Sequence, residues 1–269
     1  MSNDTTGKTL IVATVLCIVC SIVVSTAAVV LKPEQVANKV ADKKRNILAA
    51  AGMMEKGADV DKLFEKIDIK IVDIETGEYL TQAEADEAWE KTILEKPALY
   101  DQRKAAKTPG QNIKVAGDED IASIKRQAQY ATVYLAKDEN GNVKTIILPV
   151  HGYGLWSTLY GFLALETDTT TVVGLGFYEH AETPGLGGEV DNPKWKSLWP
   201  GKEVFNDQGE VAIQLIKGSV DSQDPNAEHK VDGLAGATLT SQGVTNLLNY
   251  WLSQNGFGPY LEKVRAKGV

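Results

Sequence analysis

Residues 232–241 read Asp-Gly-Leu-Ala-Gly-Ala-Thr-Leu-Thr-Ser, which puts the hydroxyl of Thr238 directly behind two very small residues, Gly236 and Ala237. An apolar stripe follows at three- to four-residue spacing, Val244, Leu247, Leu248, Trp251 and Leu252, and predicts a helix over 242–253 packed on a sheet. Backbone amides at a helix start attract anions, and small side chains let a phosphate come close. A threonine there can hold a phosphate or be esterified to one. The plainer alternative is that Thr240 or Ser241 is an N-cap satisfying free amides and nothing more.

Two further segments are rich in small residues. One is His151-Gly152-Tyr153-Gly154-Leu155-Trp156, the other Glu182-Thr183-Pro184-Gly185-Leu186-Gly187-Gly188-Glu189. A flat, apolar, anionic ligand needs close backbone, an amide-rich phosphate site and a few planar or apolar walls. Leu186, Tyr153 and Trp156 can supply walls, and Lys217 a point charge for a phosphate. Taken singly, each glycine-rich loop is simply a tight turn. The chain has no Rossmann fingerprint and no Walker A loop, which argues against a dinucleotide or nucleoside triphosphate. His151, His180 and His229 are far apart, with none of the close spacings of a metal site.

These segments must be positioned by the rest of the chain. With 28 Lys+Arg against 36 Asp+Glu, the net charge of −8 argues against nucleic-acid binding. Residues 9–31 carry no charge. About 23 residues at a 1.5 Å rise give about 35 Å of helix, enough to cross a bilayer core; a cleaved signal peptide normally has a shorter apolar core. Lys8 precedes the span, while Lys32, Lys39, Lys43, Lys44 and Arg45 follow it. Counted alone, those charges leave the large C-terminal part in the cytoplasm, but the rule is weak for long domains, and Glu34 and Asp42 dilute the cluster. Cys17 and Cys20 lie inside the span on one helix face, read as packing residues, with half of an intersubunit metal site as the alternative. The remainder of the chain has no cysteine for a disulfide or an iron–sulfur cluster.

Residues 33–55 read as a polar helix punctuated by Gly52 and Gly57, and 60–66 as a short one. Alternation over 67–72 predicts a strand, with a turn at Thr76-Gly77. A helix is expected over 83–94, and a helix followed by a loop or an exposed connector over 97–111, which is rich in Lys and Ala and ends in Pro109-Gly110. Runs at 131–135 and 144–150 flank Asn140-Gly141, a strong hairpin signal. Strands are expected over 160–166, 170–178 and 212–216, a polar loop over 219–230, and helices over 193–199 and 259–265. The pattern predicts an α+β fold: one transmembrane helix, then a mostly antiparallel sheet with flanking helices. The expected divisions are a tail at 1–8, the span at 9–31, a mixed helical membrane-proximal region at 32–130 and a ligand-binding domain at 131–269.

DGLAGATLTSQGV, ETPGLGGE, LPVHGYGLW and YDQRKAAK (100–107), behind one N-terminal span, resemble the C subunit of the sodium-translocating NADH:quinone reductases over essentially the whole chain. More distantly, TPGLG and GAT resemble the G subunit of the Rnf electron-transport complex. The first resemblance implies FMN bound by a phosphoester to the threonine closing an Asp-x-x-Ser/Thr-Gly-Ala-Thr pattern. Here that pattern runs from Asp232 through Gly236 and Ala237 to Thr238, followed by Leu239 and Thr240; Ala235 departs from it. It also implies that Trp156, Thr183, Gly185, Leu186, Gly187 and Lys217 line the flavin site and that no residue acts as acid or base. A flavin transferase using FAD and a divalent metal would attach the group outside the cytoplasm. The large domain is then periplasmic, on a bacterial inner membrane, with a short cytoplasmic N-terminus. The implied partners are the other members of an assembly of six subunits: the D and E subunits near an iron–sulfur centre that supplies electrons, and the B subunit whose flavin accepts them. NADH oxidation, quinone reduction and sodium passage fall to the partners. The rivals are an Rnf-type G subunit and, on the strength of Ala235, a flavin-free periplasmic scaffold.

Overall fold

The computed structural model describes residues 5–55, 57–81 and 88–269. They divide into two compact units, 1–43 and 44–269. Helix α1 (Thr6–Ala50) supplies nearly all of the first and enters the second with its last turns. Its most apolar 18-residue window has a mean hydropathy of 2.7, and none of it is buried against protein. A helix apolar all round and unburied is one built to be solvated by lipid. The sequence divides this region into a span and a separate polar helix, yet α1 runs unbroken through Pro33. Proline removes one ladder donor, and the hydrogen-bonded turns on both sides carry the helix past it.

In the second unit, α2 (Val60–Phe64) starts where the Asp59 side chain accepts from the Asp61 and Lys62 amides. Helix α3 (Ala88–Glu95) covers the later part of the helix expected at 83–94; residues 82–87 lie outside the described residues. No single helix spans 97–111. A 3-10 turn at Pro97–Leu99 gives way to extended backbone at Tyr100, and α4 (Gln102–Ala105) starts afresh on Asp101, which accepts from the Lys104 amide. The Tyr100 hydroxyl donates to the Tyr130 carbonyl at 2.8 Å, a tertiary tie made where the two helical turns are separated.

The central sheet comprises β1 (Ile67–Asp73), β4 (Tyr130–Lys137), β5 (Val143–Tyr153), β6 (Thr158–Glu166) and β7 (Val172–Glu179). Their order is β1-β4-β5-β6-β7, with every neighbour antiparallel. The expected β4–β5 hairpin forms: Asp138 Oδ1 accepts from the Asn140 and Asn142 amides across the Asn-Gly turn. Two small pairings complete the strands: β2 (Asn112–Lys114) with β3 (Arg126–Ala128), and β8 (Gln214–Ile216), within the strand expected at 212–216, parallel to β9 (Lys230–Asp232), which has no clear periodic signal. Three more helices complete the unit: α5 (Pro193–Lys196), α6 (Thr238–Leu252) and α7 (Gly258–Lys267).

Both sheet faces are buried. Leu135, Ile146, Leu148, Leu163 and Leu165 share a core with Val244, Leu247, Leu248 and Trp251 of α6. Their strand neighbours Tyr134, Ala136, Ile147, Phe162 and Ala164 join Ile47, Leu48 and Ala50 from the end of α1. Successive side chains point to opposite faces, so strands covered on both sides read as continuous apolar runs rather than alternating ones. The indole Nε1–H of Trp251 donates to the His151 carbonyl at 2.6 Å and ties α6 to the end of β5.

After β1 the chain turns at Gly77, where φ is +70°, and a Cβ there would lie 2.3 Å from the Pro259 carbonyl carbon at the start of α7. Gly77→Ala combines left-handed strain with a backbone clash. It is expected to lower stability by about 2 kcal/mol or more, read as the loss in a urea unfolding experiment on the intact chain.

Candidate functional site

The motif at 232–241 begins on β9. Parallel pairing sets Ile216 opposite Asp232, and the Gly233 amide donates to the Gly218 carbonyl at 3.1 Å. Lys217, exposed, is thereby brought alongside the start of the motif. The Asp232 carboxylate accepts from the Val220 amide at 2.8 Å, so its side chain holds the Lys217 loop in place. The chain then turns: the Ala237 amide donates to the Leu234 carbonyl at 3.1 Å, and α6 starts at Thr238. Ser241 stitches the turn closed, accepting from the Leu234 amide at 2.9 Å and donating to the Ala237 carbonyl at 3.1 Å.

Neither Thr240 nor Ser241 is therefore the N-cap. That position is Ala237, and no side chain caps the helix. The turn at 234–237 feeds straight into the helix, so both hydroxyls lie inside its first turns. An uncapped start to a 15-residue helix keeps its first amides available and carries the positive end of the dipole. Thr238 is exposed there, and Leu239 is 61% exposed.

The loop at 182–189 lies against this turn. Leu186 donates to the Thr183 carbonyl at 3.1 Å, with Pro184 second and Gly185 third at φ +76°, the chemistry of a type II turn. It leaves Leu186 43% exposed and so near Gly236 that a Cβ on that glycine would sit 3.0 Å from Leu186 Cδ2. Gly187 is buried under the helix start, where a Cβ would lie 2.6 Å from Thr240 Oγ1. The β5–β6 turn arrives from the other side. It carries Tyr153 and Trp156, both exposed, and a Cβ on Gly243 of α6 would lie 2.5 Å from the Tyr153 carbonyl oxygen.

The three segments meet at a residue the sequence did not single out. Glu182 is 5% exposed, and its carboxylate accepts from the amides of Leu155, Trp156 and Ser157, from Ser157 Oγ, and from Thr240 Oγ1 at 2.9 Å. Burial pushes its carboxyl up. The Trp156 amide, the Thr240 hydroxyl and the remaining donors outweigh that and hold it below the ordinary 4.5. Behind it, His180 Nδ1 accepts from the Glu182 amide at 3.2 Å, so its Nε2–H faces Asp191 Oδ2 at 2.8 Å. Only its place in a glycine-rich loop marks Glu182 in the sequence; its donors come from distant stretches.

The site therefore combines an exposed hydroxyl on an uncapped helix, small residues at 236 and 237, a nearby lysine, and exposed apolar groups on loops held to that helix. Those features fit a ligand with one anionic group and a flat apolar face. Cys17 and Cys20 are exposed on α1. Among the described residues no three His, Cys, Asp or Glu side chains gather as metal ligands. A polar cleft of about 870 Å³, lined by Glu203, Asn206, His229 and the Gln242, Thr245 and Asn249 side of α6, includes none of the three segments.

Residues 154–253 match the FMN-binding domain family. Over 268 residues the chain is 52% identical to the C subunit of the Na(+)-translocating NADH-quinone reductase of Pseudomonas aeruginosa, covering 98% of each. It is 47% identical to the corresponding C subunit of Vibrio vulnificus, over 100% of this chain and 99% of the relative. Among solved structures it is similar to Shewanella oneidensis NqrC, with a TM-score of 0.75 and 33% identity over 86% of this chain and 100% of that one.

A carboxyl whose folded pKa is depressed stabilises fully above its unfolded value and loses that contribution as pH falls through the folded one. Backbone amide NMR shifts of Leu155, Trp156 and Ser157 are expected to move together as Glu182 takes up a proton, with a midpoint below that of an ordinary glutamate. Glu182→Gln is expected to abolish that shared transition.

Proposed function

The chain belongs to the family of C subunits of the Na(+)-translocating NADH-quinone reductases, and from that premise we propose that it holds FMN as a phosphoester on Thr238 and relays electrons from an iron–sulfur centre to the flavin of the B subunit. As a member it is a redox-carrying subunit of a multi-subunit NADH:quinone oxidoreductase, with an FMN-binding domain and one helix suited to anchoring it in a membrane. When bound, FMN supplies the redox chemistry; the protein supplies position, electrostatics and retention.

The observation that carries the attachment reading is the setting of Thr238: exposed, first in an uncapped helix, two residues after a glycine that opens onto Leu186. The helix dipole favours the charge left on a phosphodiester, and in this reading Lys217 offsets more of it. In this reading Trp156, Thr183, Leu186 and Leu239 line the ring. Gly185 and Gly187 shape the loop, Gly236 and Ala237 leave room for the phosphate, and Asp232 and Thr240 hold the frame. Ala235 does not undermine this. It is exposed, and the hydrogen bonds closing the turn run through Leu234, Ala237 and Ser241, so the missing hydroxyl leaves the turn intact. No side chain is assigned as acid or base, because the threonine is an anchor and not a nucleophile toward substrate.

The finer assembly belongs to the same proposal. Residues 131–269 form the FMN-binding domain, 32–130 the membrane-proximal region and 9–31 the span, with 1–8 in the cytoplasm and the large domain in the periplasm. A flavin transferase matures the protein there, and the D and E subunits present the iron–sulfur centre within an assembly of six subunits. Retaining the flavin covalently suits a carrier that exchanges electrons with partners in every cycle.

Two measurements test this reading. Co-produced with its flavin transferase, the denatured chain is expected to give a yellow-green band under ultraviolet light that Thr238→Ala removes; no band from the unaltered chain would leave a flavin-free scaffold as the better description. Alkaline phosphatase fused after Val269 is expected to be active in intact cells, and an inactive fusion at normal protein levels would place the large domain in the cytoplasm.

A further inference from the structure

The two Glu182 oxygens serve different parts of the site. Oε1 accepts from the Trp156 amide, the Ser157 amide and Ser157 Oγ, each at 3.1 Å, and from the Leu155 amide at 3.2 Å. Oε2 accepts from Thr240 Oγ1 at 2.9 Å and from the Leu155 amide at 3.3 Å. Backbone closes on the group from both sides: a Cβ on Gly154 would come within 2.7 Å of Oε1, and one on Gly187 within 2.8 Å of Oε2. Ser157 adds a link of its own, accepting from the Ala181 amide at 2.8 Å.

A buried carboxylate is costly unless fully hydrogen-bonded, and as filler an apolar side chain would serve the core as well or better. A charged acceptor adds direction, because it fixes several donors from separate segments in one arrangement. The donors here belong to the loop carrying Trp156 and to the first turn of the helix carrying Thr238.

We propose that Glu182 is a positioning residue that presets the flavin cradle, clasping the Trp156 loop to the first turn of α6 so that the ring wall and the phosphate anchor stand at a fixed separation before the flavin arrives. This inference rests on the reading of Thr238 as the attachment site. The clasp leaves attachment itself to the motif and the transferase, and governs how firmly the attached ring is held. Ordering the walls in advance removes an entropic penalty that ring docking would otherwise carry.

The test uses the full chain co-produced with its flavin transferase, as the unaltered protein and as Glu182→Ala and Thr240→Val, the second keeping the side-chain volume while removing the hydroxyl. Intact mass reports covalent FMN, far-ultraviolet circular dichroism reports the fold, and flavin-band circular dichroism with iodide quenching of flavin fluorescence reports the grip on the ring. Both variants are expected to carry one FMN and to keep the fold. Glu182→Ala is expected to lose roughly half or more of the flavin-band signal and to be quenched severalfold more readily, with Thr240→Val changed the same way to a smaller extent. A folded, flavinylated Glu182→Ala with unaltered flavin-band signal and quenching overturns the proposal. Should Glu182→Ala unfold, Thr240→Val decides by the same criterion. Loss of covalent FMN from the unaltered chain is a separate result, which overturns the attachment reading itself.

Discussion

Everything about the site depends on how closely the start of helix α6 can be approached by backbone from elsewhere in the chain. At Gly243 the helix meets the Tyr153 carbonyl, and Gly187 passes beneath Thr240, each at distances that admit no Cβ. That closeness lets a single carboxylate, Glu182, reach the β5–β6 turn and the helix together. A methyl group at Gly243 would have to displace the Tyr153 carbonyl, and one at Gly187 the Thr240 hydroxyl that bonds Glu182.

The sheet makes this approach possible. Its strands are covered on both faces, by α6 on one side and by the last turns of α1 on the other. The β5–β6 turn and the loop following β7 both emerge at the end where α6 begins. The Trp251 indole, bonded to the His151 carbonyl, sets the position of α6 along the sheet. Arg103 contributes on the same sheet: its guanidinium lies 3.6 Å from the centre of the Tyr160 ring and makes paired hydrogen bonds with Glu179 at 2.8 Å. That gives the YDQRKAAK segment a physical role, pinning α4 onto β6 and β7.

The site is electrostatically mixed. The positive end of the α6 dipole lies at Thr238, while the buried Glu182 carboxylate bonds Thr240 in the same turn. The carboxylate's hydrogen-bond donors favour its charged form and outweigh the cost of burial. Its hydrogen-bonding capacity is taken up by protein groups, and the first amides of α6 carry no side-chain cap.

Much of this was legible in the chain itself. The 9–31 run announced a membrane-length helix, Asn140-Gly141 the central hairpin, and the apolar stripe behind Thr238 the helix on the sheet, because periodicity and turn chemistry act over a few residues. Thr238, Gly236, Leu186 and Trp156 could be picked out as types suited to a flat anionic ligand, and motif resemblance supplied FMN. Tertiary contact decided the rest. Extended backbone at Tyr100 divided the 97–111 stretch, the β8–β9 pairing set Lys217 beside Asp232, and the helix began at Thr238 and not past it. Glu182 became the junction only when donors from 155–157 and 240 converged on it. Hydrogen bonds between segments separated by tens of residues leave no periodic trace, since their partners are chosen by the packing of the sheet and not by neighbours in sequence.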